Sequence, residues 1–163
     1  MRRLVAVCQM TSTSDAKENF EQAKTLIKRA AEMGCSLVCL PENFAFLGEH
    51  YSQALRFAES IESGEWISQY KHLAKENRVW LSLGGFQHRI SDEKLFNTHA
   101  IVDSQGNIVE TYDKIHRFDV DLPLGISLKE SRYTEAGCRV VNVKSPVGNL
   151  GLSVVTNHWN IPT

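Results

Sequence analysis

The sequence predicts a single α/β domain built on a mixed β-sheet, with helices on its outer face. Three observations support this fold class: a strand–helix–strand order at the start, helical periodicity in the middle, and several short strands with turn clusters between them in the second half. The 163 residues are 42% hydrophobic, which suits one globular domain with its own core.

The opening segment predicts two parallel strands joined by a helix. Residues 4–10 are mostly apolar and predict a central strand, and residues 36–40 predict the second strand. Between them, Asp15 is placed to cap a helix, and Gly34 is placed to end it. A right-handed crossover between parallel strands brings their carboxyl ends to one edge of the sheet. The helix should bury an apolar face made of Phe20, Ala23, Ile27 and Ala30.

Two further helices are expected around residues 51–58 and 64–77. In the second of these, Trp66, Ile67, Tyr70, Leu73 and Ala74 recur at helical spacing. We interpret this stripe as core packing, not as a cofactor site, because a helix that covers a sheet needs such a face.

Consecutive strands follow the helices. Residues 79–83 predict a strand, after which Gly84-Gly85 allows the backbone either to turn or to approach another chain segment closely. An antiparallel meander is then expected, and two final strands should surround a turn at residues 145–149. The sheet should therefore be mixed. The meander strands are 86–90, 96–103 and 108–114, and the last two strands are 139–144 and 150–155.

Composition argues against several classes of partner. The net charge of −1 and the lack of a basic run make nucleic acid and anionic membranes poor candidates. No apolar run approaches the roughly 20 residues of a membrane span. The four cysteines lie mainly in or beside apolar stretches, which indicates free thiols and a cytoplasmic chain, with a mitochondrial form as the alternative. We expect no cofactor and no metal.

Three charged residues are candidates for a functional site. Glu42 follows the second strand directly after Pro41, at the sheet edge where α/β folds bind ligands. Lys114 lies where the third meander strand gives way to a loop, and Glu130 lies later in that loop. Taken singly, each residue is better explained as a solvated charge at the end of a strand or on the surface.

Several segments together resemble the carbon–nitrogen hydrolase (nitrilase) superfamily, and in particular its Nit branch. They occur in the family's order along nearly the whole chain. The segments are Val5-Ala6-Val7-Cys8-Gln9-Met10, Leu40-Pro41-Glu42-Asn43, Phe96-Asn97-Thr98, Tyr112-Asp113-Lys114-Ile115-His116, Phe118-Asp119-Val120-Asp121, Lys129-Glu130-Ser131, Pro146-Val147-Gly148 and Gly151-Leu152-Ser153-Val154.

The resemblance implies an α-β-β-α sandwich and hydrolysis of small amides through a Glu-Lys-Cys triad, on ω-amidated acids such as deaminated glutathione. By position, Glu42 is similar to the family's general base, and Lys114 to the cation that stabilises the oxyanion. Glu130 is similar to a second glutamate that orients the substrate or water. His116 belongs to the motif, and we interpret it as structural. A homo-oligomer is implied for full-length relatives.

The chain departs from the family pattern at residue 155. There the family has its nucleophilic cysteine, whereas this chain has Val155, which can form no thioester. Residues 1–154 are therefore expected to be the amino-terminal portion of the hydrolase domain, followed by a divergent tail at 155–163. The sandwich would be incomplete and the chain inactive, as in a shortened product of splicing or of an incorrect gene model.

Two alternatives to a hydrolase remain open at this point. The chain could be a non-catalytic form that associates with full-length subunits of the same family. It could also be an α/β ligand-binding module unrelated to nitrilases, although the ordered motifs would then be coincidental. No part of the fragile-histidine-triad domain that some family members carry is visible in the sequence.

Overall fold

The computed structural model describes residues 3–121 and 127–155. Over these residues the chain forms nine strands, three α-helices and one short 3-10 turn at Glu130–Arg132. In chain order the elements are β1 (Leu4–Val7), α1 (Ala16–Glu32), β2 (Cys35–Leu40), α2 (Tyr51–Phe57), α3 (Glu65–Asn77), β3 (Trp80–Arg89), β4 (Leu95–Val102), β5 (Ile108–Asp113), β6 (Asp119–Asp121), β7 (Ser127–Lys129), β8 (Asn142–Ser145) and β9 (Gly148–Gly151).

The main sheet has five strands in the order β1-β2-β3-β4-β5. The pairs β1–β2 and β2–β3 are parallel, whereas β3–β4 and β4–β5 are antiparallel. The predicted mixed sheet, the parallel opening pair and the antiparallel meander are confirmed. Helices α1 and α3 cover one face through a core that includes Ile27, Val38 and Tyr70.

The prediction that residues 4–10 form a central strand is wrong. Within the described part of the chain, β1 lies at the edge of the sheet and ends at Val7. Its side chains are correspondingly open, with Leu4 and Val5 each 46% exposed and Val7 84% exposed. An uninterrupted apolar run is typical of a strand buried on both faces, and that pattern does not distinguish an inner strand from an edge strand.

Helix α1 begins and ends where the sequence predicts. The Asp15 carboxylate accepts hydrogen bonds from the backbone N–H groups of Lys17 and Glu18, at 2.9 and 3.0 Å. Gly34 follows the helix with φ +80°, a conformation that glycine adopts without strain. The expected apolar face is also confirmed, since Ala23, Ile27 and Ala30 are buried and Phe20 packs against the same core.

The aromatic stripe of α3 is core, as predicted. Ile67, Tyr70, Leu73 and Ala74 are buried, and Trp66 packs at the edge of the same cluster. The Tyr70 ring meets Phe20 and Phe44 edge-on, with ring centroids 5.2 and 4.8 Å apart. These contacts fix α3 against both α1 and the segment that follows β2.

The pair Gly84-Gly85 lies inside strand β3, so the predicted turn at these glycines is wrong. The alternative, a close approach of the backbone to another segment, is confirmed. Strand β3 runs through both glycines with a register shift between Leu83 and Phe86. A Cβ atom on Gly84 would lie 2.5 Å from the carbonyl oxygen of Leu40, and one on Gly85 would lie 2.9 Å from Cγ of Glu42. The glycines therefore let β3 pack directly against the end of β2.

The second half of the chain is less regular than predicted. The loop after β5 contains an antiparallel hairpin, β6–β7, which the sequence did not indicate. The bounds predicted for the last two strands, 139–144 and 150–155, and for the turn at 145–149 are wrong: β8 and β9 pair with each other at Asn142–Ser145 and Gly148–Gly151, so the turn between them is only residues 146–147. Beyond β9, Leu152 and Val154 are buried in a second apolar cluster with Ile101, Tyr112 and Val141.

The four cysteines are all free, as predicted, and Cys138 is exposed while the other three are partly buried. Across residues 3–121 and 127–155, none of the helices has the length and apolar character that crossing a membrane would require.

We predict that Gly84→Ala lowers the free energy of unfolding by about 2 kcal/mol, because the added methyl group would overlap the backbone of β2. Gly151→Ala is the matched control, since a Cβ atom there meets nothing within 4 Å. Chemical denaturation of both variants measures the difference. Equal effects at the two glycines would contradict the close packing of β3 on β2.

Candidate active site

Glu42 lies where β2 stops and the backbone turns sharply. Pro41 ends the strand, and Asn43 adopts φ +57° while its N–H donates to the carbonyl oxygen of Gly85 at 3.0 Å. Gln87 Nε2 donates to Asn43 Oδ1 at 2.8 Å and fixes the turn from β3. The Glu42 side chain is 18% exposed, so it is largely enclosed but still open on one side.

Lys114 follows β5 directly and is the most deeply buried charge of the site. Its backbone N–H donates to the carbonyl oxygen of Asn97 at 2.9 Å, and its side chain is 2% exposed. The ammonium group lies 3.0 Å from Glu42 Oε1 and 3.1 Å from Glu130 Oε2. A cation removed from water in this way requires close anionic partners, and Lys114 has two.

Glu130 begins the short 3-10 turn, and its backbone and side chain both bind the segment after β5. Its N–H donates to the carbonyl oxygen of Phe118 at 3.2 Å, and the N–H of Phe118 donates to Glu130 Oε2. The same carboxylate oxygen, Oε2, lies near the Lys114 ammonium group. Glu130 therefore joins the loop backbone at Phe118 to the lysine at the end of β5. The structure thus brings together the three residues that the sequence singled out.

Asn97 is a fourth member of the site, and the sequence analysis gave it no role. Its Nδ2 donates to Glu42 Oε1 at 2.6 Å and lies 3.5 Å from Glu130 Oε1. Its Oδ1 atom is buried and has no hydrogen-bond partner among the described residues. The available signal was the run of polar side chains Asn97-Thr98-His99 within the mostly buried strand β4, since buried polar groups require specific partners.

The site lies on a cavity of about 590 Å³. Glu42, Asn97, Lys114 and Glu130 supply charged and polar lining, while Leu47, Tyr51, Ala54, Leu95, Phe118 and Leu128 supply an apolar wall. This volume is within the range of small-molecule sites, and a mostly apolar wall with a few convergent polar groups is typical of them. The arrangement can hold a small ligand against the lysine and the two carboxylates.

Tyr51 is part of the apolar wall of the cavity and lies close enough to Glu130 and Asp119 to be affected by their charges. Its ring stacks on that of Tyr133, with centroids 5.2 Å apart. Burial raises the pKa of the Tyr51 hydroxyl, and the negative charges of Glu130 and Asp119 raise it further. The hydroxyl therefore remains protonated near neutral pH and can act there as a neutral hydrogen-bond donor.

Position 155 also lines the cavity. Val155 is 62% exposed and belongs to the same lining as Glu42 and Lys114. None of the four cysteines of the chain is among the described lining residues, and neither is His116. Over the ranges 3–121 and 127–155, no three His, Cys, Asp or Glu side chains are grouped in a way that could hold a metal ion.

Comparison with known proteins identifies the family. A family model described as carbon-nitrogen hydrolase matches residues 4–161. The nitrilase and fragile histidine triad fusion protein NitFhit of Caenorhabditis elegans is 40% identical over 156 residues, which are 94% of this chain and 35% of that protein. Its crystal structure matches with a TM-score of 0.85 over 93% of this chain and 37% of that chain.

Several similar proteins carry the name deaminated glutathione amidase, including one from Dictyostelium discoideum and one from Mus musculus. The first of these two is 44% identical and the second is 40% identical. The matches cover 92% and 93% of this chain, and 54% and 48% of the relatives. A nitrilase superfamily member from Saccharomyces cerevisiae, 22% identical, shares the fold with a TM-score of 0.73 over 91% of this chain and 54% of its own.

These matches confirm the resemblance to Nit-type nitrilases and the α/β fold that it implied. The chain spans between about a third and about half the length of the curated relatives that it matches. The family match extends over nearly all of the chain, from residue 4 to residue 161. On this evidence, the chain belongs to the carbon–nitrogen hydrolase family.

Proposed function

We propose that this chain carries the Glu–Lys part of an amidase active site, whose substrates are the amides of small ω-amidated acids such as deaminated glutathione. The observation that carries the proposal is a buried lysine held between two carboxylates beside a cavity of small-molecule size. The names of the relatives in Dictyostelium discoideum and Mus musculus supply the substrate class.

In this proposal Glu42 is the general base. Its carboxylate is partly open on the cavity, so it can reach a bound thiol or a leaving amine, and Asn97 and Lys114 both bind the same oxygen, Oε1. Holding Oε1 in place leaves Oε2 as the oxygen that can exchange a proton with substrate. A base fixed in this way needs little rearrangement during the reaction.

Lys114 is proposed to stabilise the oxyanion that forms on the amide carbonyl. Its charge is already in place before substrate binds, and its poor access to water strengthens its attraction for a developing negative charge. Glu130 is proposed to orient the substrate or the attacking water. The backbone N–H of Phe118 holds one of its oxygens, and the other lies near Asn97.

The reaction proposed for full-length relatives proceeds in two steps. A cysteine thiol at position 155 loses its proton to the glutamate, its sulfur bonds to the amide carbon, and the C–N bond breaks as the proton passes to the nitrogen, which leaves as ammonia. Water then adds to the thioester carbon and gives one proton to the glutamate. The C–S bond breaks, the glutamate returns the proton to the sulfur, and the carboxylic acid product is released.

We propose that the chain of the printed sequence does not complete this reaction. Val155 has no lone pair and no ionisable group, so the carbon–sulfur bond cannot form at that position. The chain would bind an amide without cleaving it. The boundary between a hydrolase portion at 1–154 and a divergent tail at 155–163 belongs to the same proposal.

A structural ion-pair network is the simplest competing interpretation of these charges. Buried ion pairs contribute little to stability compared with apolar residues of similar size, because desolvation offsets most of their attraction. A network with no function would be expected to lie away from a cavity. Here Glu42, Lys114 and Glu130 all line one, together with Asn97, which favours a binding role.

We predict that the purified chain binds deaminated glutathione weakly and releases no ammonia from it. In NMR titrations the ligand should shift the resonances of cavity residues such as Leu95 and Phe118, whereas those of Val109, on the exposed part of β5, should stay unchanged. Ammonia release that Glu42→Gln abolishes would show that another group acts as nucleophile. Titration without shifts at the cavity would contradict the proposed function.

Lys114→Met is predicted to lower the free energy of unfolding by about 3 kcal/mol, because it leaves two buried carboxylates facing each other without a cation. Lys24→Met is the matched control, since Lys24 is half-exposed beside Glu21 and should change the free energy by less than about 0.5 kcal/mol. Denaturant titration of the two variants provides the comparison, and a small effect at Lys114 would argue against a stable charged cluster.

A second candidate function is a non-catalytic form that associates with full-length subunits of the same family. The observation in its favour is the edge of β1, where Leu4, Val5 and Val7 expose apolar side chains and no second strand pairs with β1 among residues 3–121 and 127–155. Val5→Lys and Val7→Lys should then abolish co-purification with a full-length relative. Co-purification unaffected by these substitutions, or none with the native chain, would refute this candidate.

A further inference from the structure

The segment Gly151–Val155 connects the β8–β9 hairpin to the cavity wall. Leu152 and Val154 point into the second apolar cluster, and the N–H of Leu152 donates to the carbonyl oxygen of Val141 at 3.0 Å. These contacts hold the segment to its own hairpin and to the side chains beneath it. Val155, immediately after them, lines the cavity with Lys114 and Glu42.

His99 joins this segment to the main sheet. The imidazole is on β4 and is only 8% exposed, with Nδ1 lying 2.8 Å from the carbonyl oxygen of Ser153 and Nε2 lying 2.8 Å from Oγ of Ser82 on β3. The ring therefore bridges an inner strand and a backbone atom two residues before position 155. Two residues span at most about 7 Å even when fully extended, so the bond acts close to that position.

The two contacts determine the tautomer of the ring. A backbone carbonyl can only accept, so Nδ1 must carry the hydrogen, which leaves Nε2 of a neutral ring as an acceptor for the Ser82 hydroxyl. Burial lowers the pKa of His99, although the bond to the Ser153 carbonyl opposes this effect. The ring is thus neutral near pH 7, and both of its nitrogens are used.

We propose that His99 is a positioning residue for position 155: its Nδ1–H holds the Ser153 carbonyl, and Ser82 holds the tautomer that makes this bond. The inference deepens the proposed function, because position 155 matters for the reaction only if it faces the Glu42–Lys114 pair. Groups that react with a bound amide must be held to within roughly 0.5 Å, and a hydrogen bond from an inner strand of the sheet adds a directional restraint to the apolar contacts and to the Leu152–Val141 bond.

The test compares two substitutions that differ in which end of the ring they imitate. In His99→Asn the side-chain amide nitrogen can occupy the place of Nδ1 and still donate to the Ser153 carbonyl. In His99→Gln the longer side chain carries its polar atoms to the place of Nε2 and loses that bond. Both variants replace the ring with a buried amide, so their melting temperatures should fall by similar amounts.

The readout is the backbone order of Val154 and Val155 in the full chain, measured by ¹⁵N relaxation. The native chain and His99→Asn should both give order parameters of about 0.85 at these residues, whereas those of His99→Gln should fall below about 0.6. Equal order in all three chains would overturn the proposal. Equal loss in both variants would also overturn it, because the ring's packing, and not its bond to Ser153, would then be responsible.

A second measurement on the native chain does not depend on any variant folding. The ¹⁵N chemical shifts of the His99 ring should show a protonated Nδ1 and a bare Nε2 at pH 7. The opposite tautomer would overturn the proposal. Neither experiment requires amide binding. A negative result for His99 therefore leaves the proposed function intact, and the His99–Ser153 bond can be measured even if the chain binds no amide.

Discussion

The ammonium group of Lys114, enclosed between the carboxylates of Glu42 and Glu130, is the interaction on which the site depends. A buried cation is costly unless anionic groups are held close to it, and each of the three side chains comes from a different part of the chain. Glu42 follows β2, Lys114 follows β5, and Glu130 begins the 3-10 turn. The sheet and the loop beyond it must both form before the three charges can meet.

Several neighbouring groups hold Glu42 and Glu130 in place beside Lys114. The glycines of β3 let that strand approach Leu40 and Glu42, and Asn97 binds both carboxylates from the neighbouring strand. The carboxylate of Glu130 also accepts from the backbone of Phe118, which ties the loop to the site. The apolar wall of the cavity then limits access of water on one side. The cluster is consequently both charged and sheltered, which is the environment that amide chemistry requires.

Two of the three candidate residues that the structure brings together, Glu42 and Lys114, lie where a predicted strand gives way to a loop. Pro41 ends an apolar strand before Glu42, and Lys114 follows the third strand of the meander, so chain position made both residues candidates, and the family resemblance gave them roles. Only the family resemblance singled out Glu130. Asn97 received no role because its partners are 55 and 33 residues away, and the polar run Asn97-Thr98-His99 within a strand does not reveal them. The edge position of β1 depends on which other strands pair with it, and its own apolar pattern carries no such information. The hairpin β6–β7 has only three residues in each strand, too few for an alternating pattern to stand out.

Position 155 separates the binding part of the proposed function from the chemical part. The charges that would bind and polarise an amide are all present in the described residues, whereas the printed sequence has a valine where the thiol would be required. His99 and the second apolar cluster hold the segment that leads to this position. We infer that the backbone around position 155 is held by groups on the face of the sheet, whichever side chain stands at that position.

The most direct measurement of the central interaction is the NMR signal of the Lys114 ammonium group. The ammonium protons of a lysine enclosed between two carboxylates should exchange slowly with water, so that its ¹⁵N–H signal is observed. That signal should show couplings across the hydrogen bonds to the carboxyl carbons of both Glu42 and Glu130. A rapidly exchanging signal like that of a surface lysine, with no coupling to either glutamate, would contradict the account.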